Sequence, residues 1–297
     1  MAICGGGGDF GIICGMGMIL APLRGVTIRC FREVFAEVIR DAGFTEAITP
    51  FIPANAGVDP AKNYELKVIH SFQTTPQFIG KDPEALRACL ERVKEMGFKT
   101  ADLNCGCPYP MVRNKGRGSG ILKTPAVLEK MLAVGCEVMG EGMFSVKARL
   151  GVARNDELLA LMPMLNSFPL RFLTVHPRNA RQMYDGECDW EAFAKIAKVA
   201  KMPLVKNGDI PFPSQEDAPV MIGRGFVRWL GARDDIGALL SRYVAASREE
   251  LFGDNAVLGR MKELVAYWKE LPEWKRLWPV VKIARTVDEF MLACRLA

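Results

Sequence analysis

The stretch TADLNCGCP, residues 100–108, indicates the fold class of this chain of 297 residues. Its first half has the short apolar pattern of a buried strand, and the turn that follows places Cys107 between Gly106 and Pro108. Glycine lets the backbone bend and a ligand approach closely, whereas proline fixes its own φ and donates no N–H. Residues 124–139 then have the 3.6-residue periodicity of a helix. This order predicts a strand and a crossover helix, with Cys107 displayed rather than packed in the turn between them.

The same alternation extends from residue 18 onward and predicts parallel strands joined by helices. The eight predicted strands are residues 18–21, 47–49, 75–79, 100–104, 144–147, 171–176, 203–206 and 220–222. The predicted helices are residues 27–41, 82–96, 124–139, 156–166 and 190–200, with Thr27, Asp82, Thr124 and Asp156 as caps or first-turn residues. We therefore expect an α/β fold, a (β/α)8 TIM barrel with a small C-terminal helical domain.

Three segments follow from this pattern. Residues 1–17 contain seven glycines and predict a disordered tail, or translated upstream sequence before a natural start at Met16 or Met18. Residues 18–233 form the predicted barrel, and residues 234–297, which have no strand pattern, a helical appendage.

The connection between predicted strands seven and eight is short. Only nine residues, 211–219, are available and three are prolines, whereas a parallel crossover with its helix needs about 10 to 12 residues. At most one helical turn fits, around 214–218. Either strand eight is poorly placed or the barrel closes imperfectly.

Composition limits the classes of function. Nine scattered cysteines in a chain of this size indicate reduced thiols in a cytoplasmic protein. With only two histidines, both far from Cys105 and Cys107 in sequence, we expect no metal site. No apolar run approaches a membrane span. The expected state is a monomer, and the net charge of +5 indicates only a mild preference for anionic partners.

Local charge is more informative than net charge. Arg113, Lys115, Arg117 and Lys123 follow the Cys107 turn, with no carboxylate between residues 111 and 125. This basic loop either contacts a polyanion or is an ordinary solvated loop.

Six motifs lie in order on the predicted strand ends: APLRGVT (21–27), DLNCGCP (102–108), VKARLG (146–151), VHPR (175–178) with QMY (182–184), NGDI (207–210) and MIGRG (221–225). Together they resemble the motifs of tRNA-dihydrouridine synthases over residues 18 to 230. The resemblance implies an FMN-binding barrel, a helical C-terminal domain that helps to hold tRNA, and electrons from NADPH or NADH.

The resemblance also implies roles for single residues. Cys107 corresponds to the proton donor, and Asn104 and Arg178 fall where the family meets the flipped uracil. The residues expected around FMN are Pro22, Leu23, Arg24, Gln77, Lys147, His176, Asn207, Gly208, Asp209, Gly223 and Arg224. Because a base must leave its stack to meet a flavin, the neighbouring Arg113, Lys115 and Arg117 are expected to contact tRNA phosphates.

The residue types suit this chemistry. Hydride transfer from reduced flavin N5 to uracil C6 builds negative charge on C5 and O4, so a proton must reach C5 from the opposite face. A thiol with a pKa of about 8.5 is protonated at neutral pH yet acidic enough to deliver it. Lys147 offers positive charge to the reduced flavin, and Gly223 and Arg224 offer an N–H and a guanidinium to its phosphate.

Two alternatives stay open at this point. The chain could be another FMN barrel oxidoreductase that acts on a free small molecule, of the dihydroorotate dehydrogenase or enoate reductase kind. It could also be a tRNA-binding protein that lost activity through the shortened 211–219 segment.

Overall fold

The protein is described by a computed structural model that covers residues 17–67, 73–214, 216 and 219–295. The predicted tail therefore lies, except for Gly17, outside the described residues. Ten strands, all paired in parallel, make one sheet. They are β1 (Met18–Leu20), β2 (Phe44–Ile48), β3 (Ile52–Pro53), β4 (Gln73–Thr75), β5 (Gln77–Ile79), β6 (Ala101–Cys105), β7 (Phe144–Gly151), β8 (Leu173–Asn179), β9 (Leu204–Asn207) and β10 (Val220–Ile222).

The sheet closes into the predicted barrel. The strand order is β3-β5-β6-β7-β8-β9-β10-β1-β2-β4. Only Pro76 separates β4 from β5, so these two strands form one extended segment. β2 pairs with β4 and β3 pairs with β5, and the two ends of the strand order therefore meet along this segment. The ten strands therefore occupy eight barrel positions, and the predicted α/β TIM barrel is confirmed.

Alternation along the strands directs polar side chains inward. Asp102 lies opposite Ser145 and Asn104 opposite Lys147 on neighbouring strands, and successive strand residues point to opposite faces. The residues that alternate with them along β6, Leu103 and Cys105, pack in the apolar core shared with the outer helices. Cys105 is thus a core thiol that faces the helix layer.

Twelve α-helices and three 3₁₀ helices, Pro60–Lys62, Tyr64–Leu66 and Gly118–Lys123, are found among the described residues. The α-helices are numbered in chain order. They are α1 (Arg29–Val34), α2 (Ala36–Asp41), α3 (Pro83–Glu95), α4 (Pro110–Arg113), α5 (Pro125–Met139), α6 (Glu157–Leu165), α7 (Trp190–Ala197), α8 (Arg224–Leu230), α9 (Ile236–Glu250), α10 (Asp254–Val265), α11 (Pro272–Ile283) and α12 (Val287–Arg295). None of the helices in this part of the chain combines the length and apolar character needed to cross a bilayer.

Three of the four residues predicted as caps or first-turn residues, Asp82, Thr124 and Asp156, occupy N-cap positions, but only Asp82 caps its helix with its side chain. Asp82 Oδ1 accepts the N–H groups of residues 84 and 85 at the start of α3. Thr124 and Asp156 precede α5 and α6 without a side-chain cap. Thr27 precedes α1 by two residues, and its hydroxyl donates to Ala21 O at 2.9 Å instead. The Thr27 hydroxyl, which the sequence pattern assigned to a helix cap, is therefore used in the loop after β1.

The short link before the last strand does not open the barrel. β10 pairs with β9 on one side and β1 on the other, so both expectations, a misplaced strand eight and imperfect closure, are wrong. Among the described residues between β9 and β10 there is no helix, and part of the turn expected at 214–218 lies outside them. Phe212, in this link, packs against Phe44 of β2 and against Phe226 and Trp229 of α8.

The C-terminal helices share one core with the barrel. Apolar residues of α9 to α12 belong to the same cluster as those of α1, α8, β1 and β10. Trp268 Nε1 donates to Val227 O at 2.6 Å and Trp274 Nε1 donates to Gly231 O at 2.8 Å. The division at residues 233 and 234 stays a prediction about function, since the packing is continuous across it.

Candidate functional site

A cavity of about 740 Å³ lies at the carboxyl ends of the strands, between the barrel mouth and α10. Twelve of the predicted site residues line it: Pro22, Leu23, Arg24, Asn104, Cys107, Lys147, His176, Asn207, Gly208, Asp209, Gly223 and Arg224. They come from separate strand ends, because parallel strands in a barrel deliver their C-terminal loops to one rim. The structure thus brings together most of the residues that the sequence singled out.

Cys107 lines this cavity, although its side chain is only 7% exposed. The expectation that Cys107 is displayed rather than packed is therefore wrong as to its burial, although the residue does border the cavity. The reason is the loop that follows, because Ser119 folds back and donates from its backbone N–H and its hydroxyl to Cys107 O at 3.1 and 2.9 Å. The thiol borders the cavity while its backbone is enclosed.

Burial raises the pKa of the Cys107 thiol above its ordinary value. A backbone hydrogen bond from Tyr109 and the positive charges of Arg24, Arg149 and Lys147 act in the opposite direction and do not overcome it. The thiol is protonated at neutral pH, so it can donate a proton to a ligand in the cavity.

Asn104 holds the turn that carries Cys107. Its Oδ1 accepts the backbone N–H of Gly106 at 3.1 Å and of Cys107 at 2.8 Å, and its Nδ2 donates to Gln77 Oε1 at 2.8 Å. Gln77 does not line the cavity; it is fully buried behind Asn104 and donates through Nε2 to Asp102 Oδ1 at 2.7 Å. These side chains form one hydrogen-bonded chain beneath the turn.

Lys147 stands on the wall beside this turn. Burial and the neighbouring Arg149 lower its pKa to about 8, against a weaker opposing effect of Asp102. A buried ammonium without a close carboxylate is costly, so this position favours a ligand that brings negative charge.

Arg149 was missed as a site residue. β7 extends to Gly151, beyond the predicted end at 147, so Arg149 follows Lys147 on the same face of the strand. Its Nε donates to Gly106 O at 3.1 Å and its Nη1 to Asn179 O at 3.2 Å. Burial lowers its pKa to about 10. The period of two along the strand was the signal that could have found it.

Arg178 is buried behind the cavity and does not line it. Its guanidinium pairs with Asp209 and lies 3.2 Å from His176 Nε2. Asp209 also pairs with Arg224, so one carboxylate joins a predicted substrate residue to a predicted cofactor residue. His176 has a pKa well below its ordinary value because of burial and the surrounding cations, and it is neutral.

The wall formed by β9 and β10 is narrow. Asn207 Nδ2 donates to Met221 O at 2.7 Å and ties the two strands together. A Cβ on Gly208, whose φ is +109°, would lie 2.6 Å from His176 Cδ2. Only glycine fits there, and it leaves bare backbone at the cavity wall.

The basic loop lies outside the cavity. Arg113 ends α4, Lys115 is exposed and Arg117 is half-buried, and none of the three lines the cavity. The loop continues into a 3₁₀ helix, Gly118–Lys123, that returns against Cys107. These three cations therefore lie in the segment that follows Cys107, at the rim of the cavity and outside its lining.

Three tyrosines, to which the sequence assigned no role, surround the cavity. They are Tyr109, Tyr184 and Tyr267. The guanidinium groups of Arg149 and Arg224 lie 5.4 and 4.8 Å from the centre of the Tyr184 ring. Tyr267 and Glu263 come from the end of the chain, in or just after α10, and no strand-end pattern could have located them.

Across residues 17–67, 73–214, 216 and 219–295, no group of three or more His, Cys, Asp or Glu side chains could hold a metal ion. The lining is instead cationic: Arg24, Lys147, Arg149, Arg224 and Arg228 outnumber Asp209 and Glu263. Apolar side chains such as Leu23 and Met221 line the same cavity. The site suits an anionic ligand with an apolar face.

Comparison with known proteins gives a consistent result. The family model described as dihydrouridine synthase matches residues 19–227. The tRNA-dihydrouridine(16) synthase of Shigella flexneri is 28% identical over 306 residues, covering 90% of this chain and 94% of that protein. The tRNA-dihydrouridine synthase B of Pseudomonas aeruginosa is 29% identical over 202 residues, and this match covers 67% of the chain and 59% of that protein.

Among solved structures, an old yellow enzyme homologue from Zymomonas mobilis is similar with a TM-score of 0.53 at 12% sequence identity. The similarity covers 71% of this chain and 85% of that protein. At this level of identity it supports the barrel fold alone.

Proposed function

Because this chain belongs to the dihydrouridine synthase family, we propose that it is a flavin-dependent enzyme that reduces uridine in tRNA to 5,6-dihydrouridine. One observation carries the proposal beyond family membership. A protonated thiol, Cys107, borders a cationic cavity at the barrel mouth. A nucleophilic or metal-binding cysteine would need a lowered pKa, because both roles require the thiolate, whereas burial raises the pKa of Cys107.

FMN is the flavin that we propose for this cavity. Arg224 and the Gly223 backbone, at the start of α8, suit its phosphate, and Lys147 suits the negative charge of its reduced ring. The apolar surface of Leu23 and Met221, with bare backbone at Gly208, leaves room for a flat ring. Pro22, Arg24, His176, Asn207 and Asp209 complete the proposed contacts. Gln77 supports them from behind Asn104 rather than from the cavity wall.

Bound flavin supplies the hydride that uracil C6 receives. The protein's own part is the proton: Cys107 Sγ–H donates it to C5, so that H⁻ and H⁺ together add across the C5–C6 double bond. The cations around the cavity stabilise the negative charge that develops on O4 before this proton arrives. His176 is neutral and serves as a hydrogen-bonding group rather than an acid.

The substrate-binding residues are proposed in two groups. Asn104 lies on the cavity wall within reach of a base, and Arg178 acts through Asp209. Arg113, Lys115 and Arg117 at the rim bind phosphates next to the extruded nucleotide, because reduction of a stacked base requires it to leave its stack. The helices of residues 234–297 add Glu263 and Tyr267 to the mouth and extend the surface for tRNA.

The geometry at the short link bears on the alternative of a tRNA-binding protein without activity. That alternative required a damaged barrel, yet β10 is paired on both sides and Asn207 ties it to β9. No observation in the cavity favours a free small molecule over a nucleotide. The electron donor, NADPH or NADH, the cytoplasmic location and the monomeric state stay predictions.

The test is a direct assay of the purified protein. Unmodified tRNA, NADPH or NADH and the flavin-loaded protein should yield dihydrouridine in tRNA, detected by nucleoside mass spectrometry. Free enones and dihydroorotate are the comparison substrates. Faster oxidation of the nicotinamide with a small molecule than with tRNA would overturn the proposal, and so would a protein that holds no flavin after reconstitution.

A further inference from the structure

Asp102 is a fully buried carboxylate that does not line the cavity. It stands on β6 two residues before Asn104, so both side chains face the interior of the barrel. Its Oδ2 accepts from Ser145 Oγ at 2.7 Å and its Oδ1 accepts from Gln77 Nε2 at 2.7 Å. Burial raises its pKa to about 6, so it is ionised at neutral pH. Burying a charged carboxylate costs desolvation free energy, so we asked what its hydrogen bonds contribute at this position.

Its two hydrogen bonds begin a chain with a fixed direction. An ionised carboxylate only accepts hydrogen bonds, so Gln77 must turn its NH₂ toward Asp102 and its carbonyl toward Asn104. Asn104 in turn must present its NH₂ to Gln77 and its carbonyl to the turn. The side chains of Gln77 and Asn104 are therefore both held in one orientation by a carboxylate that cannot donate.

The chain ends at the thiol-bearing turn. Asn104 Oδ1, so oriented, accepts the N–H groups of both Gly106 and Cys107. If the Asn104 amide were reversed, its NH₂ would face two donors and both bonds would be lost. The position of Cys107 Sγ thus depends on the direction of hydrogen bonding two links away.

We propose that Asp102 is a positioning residue for Cys107, acting through Gln77 and Asn104 as the acceptor that fixes the direction of this hydrogen-bond chain. The inference rests on the proposed function, in which Cys107 is the proton donor. It concerns where the thiol is held, and Asp102 itself touches neither substrate nor cofactor.

Asp102→Asn tests the proposal with a side chain of the same shape that can donate or accept. The hydrogen bonds through Gln77 and Asn104 can then run in either direction. The turn that carries Cys107 is no longer held in a single conformation. We expect kcat to fall between about 10-fold and 100-fold, as displacements near 1 Å produce. KM for tRNA and flavin content should change less than about threefold, and the melting temperature should not fall, because a buried charge has been removed.

Gln77→Glu in the Asp102→Asn background is the matched rescue. The acceptor-only group then lies one link further along, at position 77, where it again forces Asn104 to donate toward it and accept from the turn. We expect kcat within about fivefold of the wild type. Gln77→Glu alone places two carboxylates in contact, so one of them must take up a proton, and the melting temperature should fall.

A second readout does not need turnover. Alkylation of Cys107 by iodoacetamide, followed by mass spectrometry in the flavin-loaded protein, should change in rate in Asp102→Asn and return in the double variant. The assignment is overturned by wild-type kcat and alkylation in Asp102→Asn, by loss of folded protein in that variant, or by a double variant that folds without recovery. If alkylation follows the pattern but the wild type forms no dihydrouridine, the proposed function fails and the positioning role stands.

Discussion

Gly118 closes directly over Cys107. A Cβ at position 118 would lie 2.7 Å from Cys107 Cβ and 3.0 Å from Cys107 O, and the φ of Gly118 is +57°. Glycine is the residue that tolerates both the left-handed backbone and the close approach. The loop that carries the basic residues is thereby fastened to the thiol that it follows.

We expect Gly118→Ala to displace the thiol. The left-handed conformation costs about 1 to 2 kcal/mol for a residue with a Cβ, and the clash with Cys107 must push the turn away. kcat for dihydrouridine formation should fall on the order of 100-fold. Steady-state kinetics with tRNA and thermal unfolding of the same preparation would measure the two effects.

Gly116→Ala is the control in the same loop. Its φ is +73°, but a Cβ there would meet only the Lys81 side chain, at an ordinary contact distance of 3.5 Å. Stability should fall by a similar amount, about 1 to 2 kcal/mol, while kcat stays close to that of the wild type. Equal losses of kcat in the two variants would refute the role of the close contact.

Cys107→Ala should separate binding from chemistry. Flavin content and affinity for tRNA should be kept, while the rate of dihydrouridine formation falls about 10² to 10⁴-fold, the usual contribution of a general acid. Cys105→Ala is the matched control, because that thiol is fully buried against the helix layer. It should be less stable but active. A fully active Cys107→Ala protein would remove this residue from the mechanism.

Lys147 should make flavin binding depend on pH. Since its pKa is lowered to about 8, it carries its charge below that pH and loses it above. The affinity of the cofactor-free protein for FMN should therefore weaken by up to about tenfold per pH unit above 8, because binding then requires proton uptake. Fluorescence titrations at several pH values would show this.

Lys147→Arg supplies the comparison for the pH dependence. The guanidinium keeps its charge throughout the range, so the slope above pH 8 should disappear even if the affinity itself changes. The same slope in both proteins would assign the titration to another group.

The basic loop should set the salt dependence of tRNA binding. Replacing Arg113, Lys115 and Arg117 by Ala should raise KM for tRNA and lower the slope of log affinity against log salt by about 2, the value for three phosphate contacts. Filter binding from low to moderate salt would measure it.

Lys99, Lys198 and Lys201 offer a charge-matched control. They precede β6 and β9 and so lie toward the opposite end of the barrel, and all three are exposed. Their triple replacement by Ala removes the same net charge but should leave the salt slope unchanged. If both triple variants lower it equally, the effect comes from net charge and the loop has no specific contact.

The sequence was sufficient to predict the barrel and the rim that carries the site. Strand positions follow from local apolar runs, and parallel strands necessarily bring their C-terminal residues together, so Cys107, Lys147 and Asn207 could be grouped without a structure. Strand ends were less predictable. β7 and β8 run past residues 147 and 176, so Arg149 lies on the cavity side of β7 beyond the predicted strand end. Arg178, which the family resemblance placed beside the substrate, lies behind the cavity.

Other features depend on contacts that the helix and strand patterns of the sequence do not contain. Tyr267 reaches the cavity because α10 packs on the barrel. Thr27 lost its expected capping role to Ala21 O. Cys107 was expected to be displayed, and it is covered by a loop that begins several residues later. In each case a contact outside the regular hydrogen bonding of a helix or strand decided the outcome.

Trp268 and Trp274 donate hydrogen bonds to the backbone at the end of the barrel, in α8 and directly after it. These bonds have a consequence for how the protein unfolds. The final four helices and the last βα unit of the barrel share their interior, so neither can melt while the other stays intact. Calorimetry should record one heat-absorption peak instead of two. A protease cut near residue 234 would release no fragment able to fold by itself, because each part buries its apolar surface against the other.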